Sequence, residues 1–226
     1  MPKSMAFSDV MYKEIFGYTE KHHVTLVAVS KTQSLDAIMQ LYQLGQRIFG
    51  ENRVQELVEK YEVLPKDIEW HLIGHLQKNK VKYIVPFVAM IQSVDSYELL
   101  YDIHLQAKKH QRIIPVLLQF HVAKEETKFG LSKEEAIVML AKEKIAILDH
   151  VKICGVMGMA SFTEDMQVVR QEFSHLKSIF DFLKTGYFIG NSDFNIISMG
   201  MSGDYVEAID AGSTMVRIGN AIFGHR

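Results

Sequence analysis

A short apolar run followed by a segment of helical spacing recurs along this chain, and that repetition limits the folds open to it. Runs at 24–30, 47–50, 69–73, 89–93, 113–121, 151–157, 195–199 and 215–218 read as strands. Each is followed by a helical pattern, such as Leu35, Ile38, Met39 and Tyr42, or by the chain end. Further patterns cover 53–61, Leu99, Leu100, Ile103 and Ala107, then 133–141, then Phe173, Leu176, Phe180 and Leu183, then 203–210. Regular alternation gives a parallel sheet with helices outside it, and eight such units close into a barrel. An open doubly wound sheet is the alternative, but no Gly-x-Gly-x-x-Gly follows a strand to supply its dinucleotide site. A leading helix is expected over 7–21, with Val10, Met11 and Ile15 near one face. The expectation is therefore an α/β protein: one (β/α)8 TIM barrel over 24–226, with an extra N-terminal helix within 1–22, forming a single domain over 1–226.

Bulk properties narrow the function classes. Length suits one large α/β domain, and no Ser/Pro-rich linker divides the chain. The formal net charge is −2, with both signs mixed, which argues against nucleic-acid or membrane-surface binding. The single cysteine, Cys154, lies in an apolar run, so no disulfide framework exists. The first ten residues lack a signal-peptide core, and no apolar run approaches the roughly 20 residues of a membrane helix. A cytoplasmic, monomeric protein is expected.

In such a barrel, chemistry sits where strands end. Lys31 follows the first strand. A lysine held at that point, facing a pocket, is a candidate Schiff-base amine, its charged form disfavoured by burial. Read alone, the stretch favours a lysine that simply turns outward into solvent. Gly50-Glu51-Asn52, Gly74-His75, Met157-Gly158, Gly200-Met201-Ser202-Gly203 and Gly219-Asn220 follow other strands. The last two loops are the recurrent phosphate site of barrel enzymes, and Ser202-Gly203 precedes a helix. Plain turns and helix caps are the bland reading of the same glycines.

Arg217, inside the last strand, either reaches a ligand or pairs with a carboxylate such as Asp210 or Glu51. His71 and His75 straddle a strand end, so no metal pair is expected. His22-His23 belongs to an exposed helix end and 125–128 to a solvated loop. Met157, Met159, Met199 and Met201 are either core or the lining of a flat aromatic ligand.

Several stretches together resemble the YggS/PROSC family of pyridoxal 5′-phosphate (PLP) homeostasis proteins. They are Ala28-Val29-Ser30-Lys31-Thr32, Phe49-Gly50-Glu51-Asn52-Arg53-Val54-Gln55-Glu56 and Trp70-His71-Leu72-Ile73-Gly74-His75-Leu76-Gln77. Ser198-Met199-Gly200-Met201-Ser202 and Gly212-Ser213-Thr214-Met215-Val216-Arg217-Ile218-Gly219 complete the set. The resemblance implies a barrel similar to the amino-terminal domain of bacterial alanine racemase, with PLP held as an aldimine on Lys31. It implies phosphate contacts from Ser202 and the backbone of Met201, Gly219 and Asn220, Arg217 facing the pyridine nitrogen, and Asn52 and His71 near the ring. One departure is Gln119-Phe120-His121, where many relatives carry an asparagine near the strand end, and the leading segment is short. No catalytic residue or metal ligand is implied. The expected role is buffering PLP or delivering it to apo PLP-dependent enzymes.

The rivals are a racemase-like PLP enzyme and an aldolase-like barrel using Lys31 directly on a phosphorylated sugar. In the racemase the second base is a tyrosine from an additional β domain, and this chain stops at Arg226, directly after the last strand.

Overall fold

Strand β1 (Thr25–Val29) pairs in parallel with β2 (Ile48–Glu51) on one side and with β8 (Met215–Ile218) on the other, and this closes the sheet. Between them run β3 (Glu69–Leu72), β4 (Met90–Val94), β5 (Ile114–Gln119), β6 (Val151–Met157) and β7 (Ile196–Ser198). Sequence neighbours pair in order around a closed barrel. The structure, a computed structural model, describes residues 8–123, 129–141 and 143–224. The expected start of the leading helix at Phe7 and the expected loop at 125–128 lie outside those residues.

The helices follow the expected pattern: α1 (Asp9–Lys21), α2 (Leu35–Gln43), α3 (Val54–Val63), α4 (Val81–Ile84), α5 (Tyr97–Lys109), α6 (Lys133–Leu140), α7 (Met166–Gly186), α8 (Tyr205–Asp210) and α9 (Asn220–Phe223). Hydroxyls set several starts. Ser8, Ser34 and Ser96 each accept a hydrogen bond from the third residue onward, and Ser132 forms a reciprocal capping box with Glu135. The apolar stripe of α7 is buried as its spacing requires, at Phe173, Leu176, Phe180 and Leu183. Most boundaries shift from expectation by one or two residues, and two of the larger shifts have a visible cause. β5 ends at Gln119, because Phe120 leaves the sheet to bridge Leu131. The helix expected from 203 begins at Tyr205, because the chain is still turning at Ser202 to Asp204.

Alternation along the strands divides the core in two. Ala28, Phe49, Trp70, Leu72, Ile91, Val116, Leu118, Val156 and Val216 face outward into the layer shared with the helices. Val27, Met90, Leu117, Cys154, Met157 and Met215 fill the barrel itself. Cys154 is thus a core residue. Above this apolar plug the inward positions turn polar, at His71, Gln92, Ser198 and Arg217, all buried. Among the described residues, no helix is long and apolar enough to cross a membrane, and no three His, Cys, Asp or Glu side chains group as metal ligands.

Candidate functional site

The carboxyl ends of the strands surround a cavity of about 520 Å³. Lys31, Asn52, Met201, Ser202, Arg217, Gly219 and Asn220 line it, so the barrel gathers all but one of the expected site residues in one place. The exception is His71, which lies in the polar layer below.

Lys31 stands at the apex of a turn in which the Gln33 amide donates to the Ser30 carbonyl at 3.0 Å. Its side chain is exposed. The sequence argument placed a desolvated amine here, and the structure instead puts Lys31 at the open rim. The reason is local: the chain leaves the sheet after Val29, so Ser30 is the last buried residue.

Beside Lys31, since β8 pairs with β1, the loops after β7 and β8 meet. Ser202 Oγ accepts from the amides of Gly219 and Ala221, each at 3.3 Å. Space is tight at Gly219, where a Cβ would lie 3.1 Å from the Val29 carbonyl oxygen. The Met201 amide, by contrast, already donates to Asp204 Oδ1 at 2.6 Å. Among the described residues, the amides of Ser202, Gly203 and Asn220 donate to no protein acceptor. Burial pushes the Asp204 carboxyl up, and the Met201 amide and Arg217 oppose this. Unengaged amides on two adjoining loops of one cavity suit an anion.

Arg217 is 3 % exposed and enters no salt bridge with Asp210 or Glu51. Nη1 donates to Ser198 Oγ at 2.6 Å and Nη2 to the Gly158 carbonyl at 3.0 Å. Burial pushes its pKa down to about 10, so it stays a cation at neutral pH. Ser198 in turn donates to Gln92 Oε1 at 2.7 Å, and Gln92 Nε2 lies 2.9 Å from His71 Nδ1. Burial also pushes His71 down to about 4, leaving a neutral imidazole that can accept from Gln92. His75 is separate from this chain. It stacks on Phe129 with ring centroids 4.0 Å apart and lies 3.5 Å from Asp95.

Asn52 brings a buried Oδ1 that has no hydrogen-bond partner in the protein. Its backbone approaches Gly74 so closely that a Cβ there would lie 2.3 Å from the Asn52 carbonyl oxygen. Of the methionines, Met159 and Met201 line the cavity, whereas Met157 and Met199 are fully buried in the core. Sequence reasoning missed the wall formed by Ser161, Phe162, Thr163 and Met166. No spacing marks it. Its anchor is Glu172, which accepts from the Ser161 amide and hydroxyl, each at 2.7 Å.

An amine at the rim, amide donors on the loops after β7 and β8 and a guanidinium in the floor suit a ligand with a carbonyl, an anionic end and an acceptor between them. Comparison with known proteins agrees in kind. The model of the alanine racemase N-terminal domain matches residues 13–226. A pyridoxal phosphate homeostasis protein of Aquifex aeolicus is 40% identical over 202 residues, covering 89% of this chain and 86% of its own. The structure of PipY from Synechococcus elongatus, with PLP bound, superposes with a TM-score of 0.83 at 30% identity, over 95% of this chain and 100% of that one. Alanine racemase from Bartonella henselae shares the fold, with a TM-score of 0.70 at 17% identity, over 97% of this chain and 60% of that one. The chain belongs to the pyridoxal phosphate homeostasis protein family, built on the alanine racemase N-terminal-domain barrel.

Proposed function

We propose that this protein is a PLP carrier, which holds the cofactor on Lys31 at the mouth of the barrel and passes it to apo PLP-dependent enzymes. One observation carries the reading: a single cavity joins an exposed lysine to a serine hydroxyl bonded to two backbone amides at 3.3 Å.

The residues present fit the cofactor. Lys31 offers the amine that the aldehyde requires, and its exposed position leaves the attachment open to exchange. The phosphate falls to the Ser202 hydroxyl, which the Gly219 and Ala221 amides hold in place, and to the unengaged amides of Ser202, Gly203 and Asn220. Met201 contributes its side chain rather than its amide, which Asp204 holds. Asn52 Oδ1 is an orphaned buried acceptor, free to accept a hydrogen bond from a ring substituent. Met159 and Met201 give the flat ring an apolar wall. His71 acts from beneath the floor, through Gln92 and Ser198.

Bound PLP supplies an electron-withdrawing ring conjugated to its attached group. Arg217 limits that property. As a cation it can only donate to the ring nitrogen, and it gives that nitrogen no proton. An unprotonated ring is a poorer electron sink, which suits storage better than turnover.

The racemase rival needs a base on each face of a substrate carbon. Lys31, Asp204 and Arg217 are the only titratable side chains among the described residues lining the cavity, and Asp204 Oδ1 is engaged by the Met201 amide. This supports delivery over racemisation. The experiment mixes holoprotein with an apo PLP enzyme in the presence of a trap for free PLP. A parallel incubation with L-alanine follows the D-isomer. Recovery of the recipient's activity without D-alanine is expected. Racemisation at ordinary enzyme rates, roughly 1–1,000 per second, would overthrow the carrier reading.

A further inference from the structure

A compact ionic cluster lies directly behind Lys31, outside the cavity, and nothing in the reading above uses it. Lys60 of α3 is 5 % exposed. Its Nζ lies 2.7 Å from each of Glu51 Oε1, Glu56 Oε1 and the Ser30 carbonyl oxygen. Ser30 Oγ donates to Glu51 Oε1 at 2.6 Å. Glu56 also accepts from the Thr32 amide. The cluster therefore grips the chain on both sides of Lys31, at the Ser30 carbonyl and at the Thr32 amide.

The gripped turn needs holding. Thr32 has φ +62°, a left-handed conformation unfavourable for a β-branched residue. The Ser30 carbonyl accepts from both the Gln33 amide and Lys60. The turn is thus tied at its first residue by Lys60 and at its strained third residue by Glu56, with Lys31 between them.

The charges bear on its rigidity. Two carboxylates share one ammonium, and Glu51 Oε2 is buried with no partner in the protein. Burial pushes the Glu51 carboxyl up, against the attraction of Lys60. Burial also opposes ionisation of Glu56, but hydrogen bonds from Lys60 and Thr32 outweigh it and hold that group low. A buried arrangement of this kind is a poor source of net stability, because desolvation offsets the Coulomb gain. Fixing one geometry is a use better matched to its cost.

We infer that Glu51, Glu56 and Lys60 form a positioning device for Lys31, holding the turn so that its amine meets the aldehyde of a ligand already seated by its phosphate. The inference rests on Lys31 being the attachment point. It separates two events that the pocket otherwise joins: seating of the phosphate and ring, which the cluster does not touch, and covalent attachment, which it governs.

The test uses PLP beside pyridoxine 5′-phosphate, the alcohol analogue that cannot attach to an amine. Three proteins are compared: the unaltered chain, Glu56→Gln, and the charge-compensated double variant Glu51→Gln with Lys60→Met. Thermal melting of each apoprotein verifies folding. Misplacing a reacting group by about an ångström can cost on the order of a hundredfold in rate. Attachment of PLP, followed by its visible band and by borohydride trapping, is therefore expected to slow at least tenfold in both variants. Its pH profile is also expected to shift. Calorimetric affinity for pyridoxine 5′-phosphate should stay within about twofold. Attachment as fast as in the unaltered protein, or a parallel loss of pyridoxine 5′-phosphate binding, would overturn the inference. No attachment even to the unaltered chain would strike first at Lys31 as the attachment point, and the inference would fall with it.

Discussion

Nη1 of Arg217 donates to Oγ of Ser198 at 2.6 Å, and this bond begins a polar chain that crosses the barrel through Gln92 to His71. Every donor in it has a direction. Arg217 cannot accept, so Ser198 must, which turns the serine proton toward Gln92 Oε1 and the Gln92 amide protons toward His71 and Met215 Sδ. The floor of the site is therefore set by residues that the ligand need not touch.

Ser198→Ala removes the acceptor for Arg217 and the donor for Gln92 together. It should lower unfolding free energy by about 1–3 kcal/mol, since both remaining groups are buried. Urea titration of the apoprotein checks this. A change below about 0.5 kcal/mol would mean that the chain carries no weight.

Stability should fall with acid through His71. Its folded pKa is about 4, against 6.5 for the free group, with burial as the cause. The unfolded chain takes up this proton first as pH drops. The contribution is fully present above pH 6.5 and is lost between 6.5 and 4. Its size is about 3 kcal/mol. Urea titrations at pH 7 and pH 4.5 should show the loss, and His71→Asn should reduce it relative to the unaltered protein. An identical acid dependence in both would place the titration elsewhere.

Ser202→Ala takes the hydroxyl from the point where the Gly219 and Ala221 amides converge. A charge-assisted hydrogen bond is worth about 1.5–3 kcal/mol, so the dissociation constant for PLP should rise about tenfold to a hundredfold. Gly219→Val should do worse, since even a Cβ would lie 3.1 Å from the Val29 carbonyl. Equilibrium dialysis of both variants measures this, and unchanged retention in both would move the phosphate elsewhere.

The barrel was legible because each strand announces itself by an apolar run, and β1, β2, β4, β6 and β8 end where a glycine or a polar residue begins. β6 and β8 coincide with their expected limits, since Val151 and Met215 open those runs abruptly. Most site residues were legible for the same reason: in this fold the strand ends converge, so Lys31, Ser202 and Gly219 could be placed together without any knowledge of distance.

Three features needed coordinates. The exposure of Lys31 depends on where the chain leaves the sheet. The place of His71 below the floor depends on which side of β3 it faces. The grip of Lys60 on Ser30 links residues 30 positions apart, and nothing in their spacing marks it.

The central claim is that Lys31 carries the cofactor. Holoprotein reduced with borohydride, digested and mapped by mass spectrometry should show the pyridoxyl label on the peptide containing Lys31, and Lys31→Ala should abolish both the label and the visible band. A label on another lysine, such as Lys128 or Lys60, with Lys31 unmodified, would contradict it.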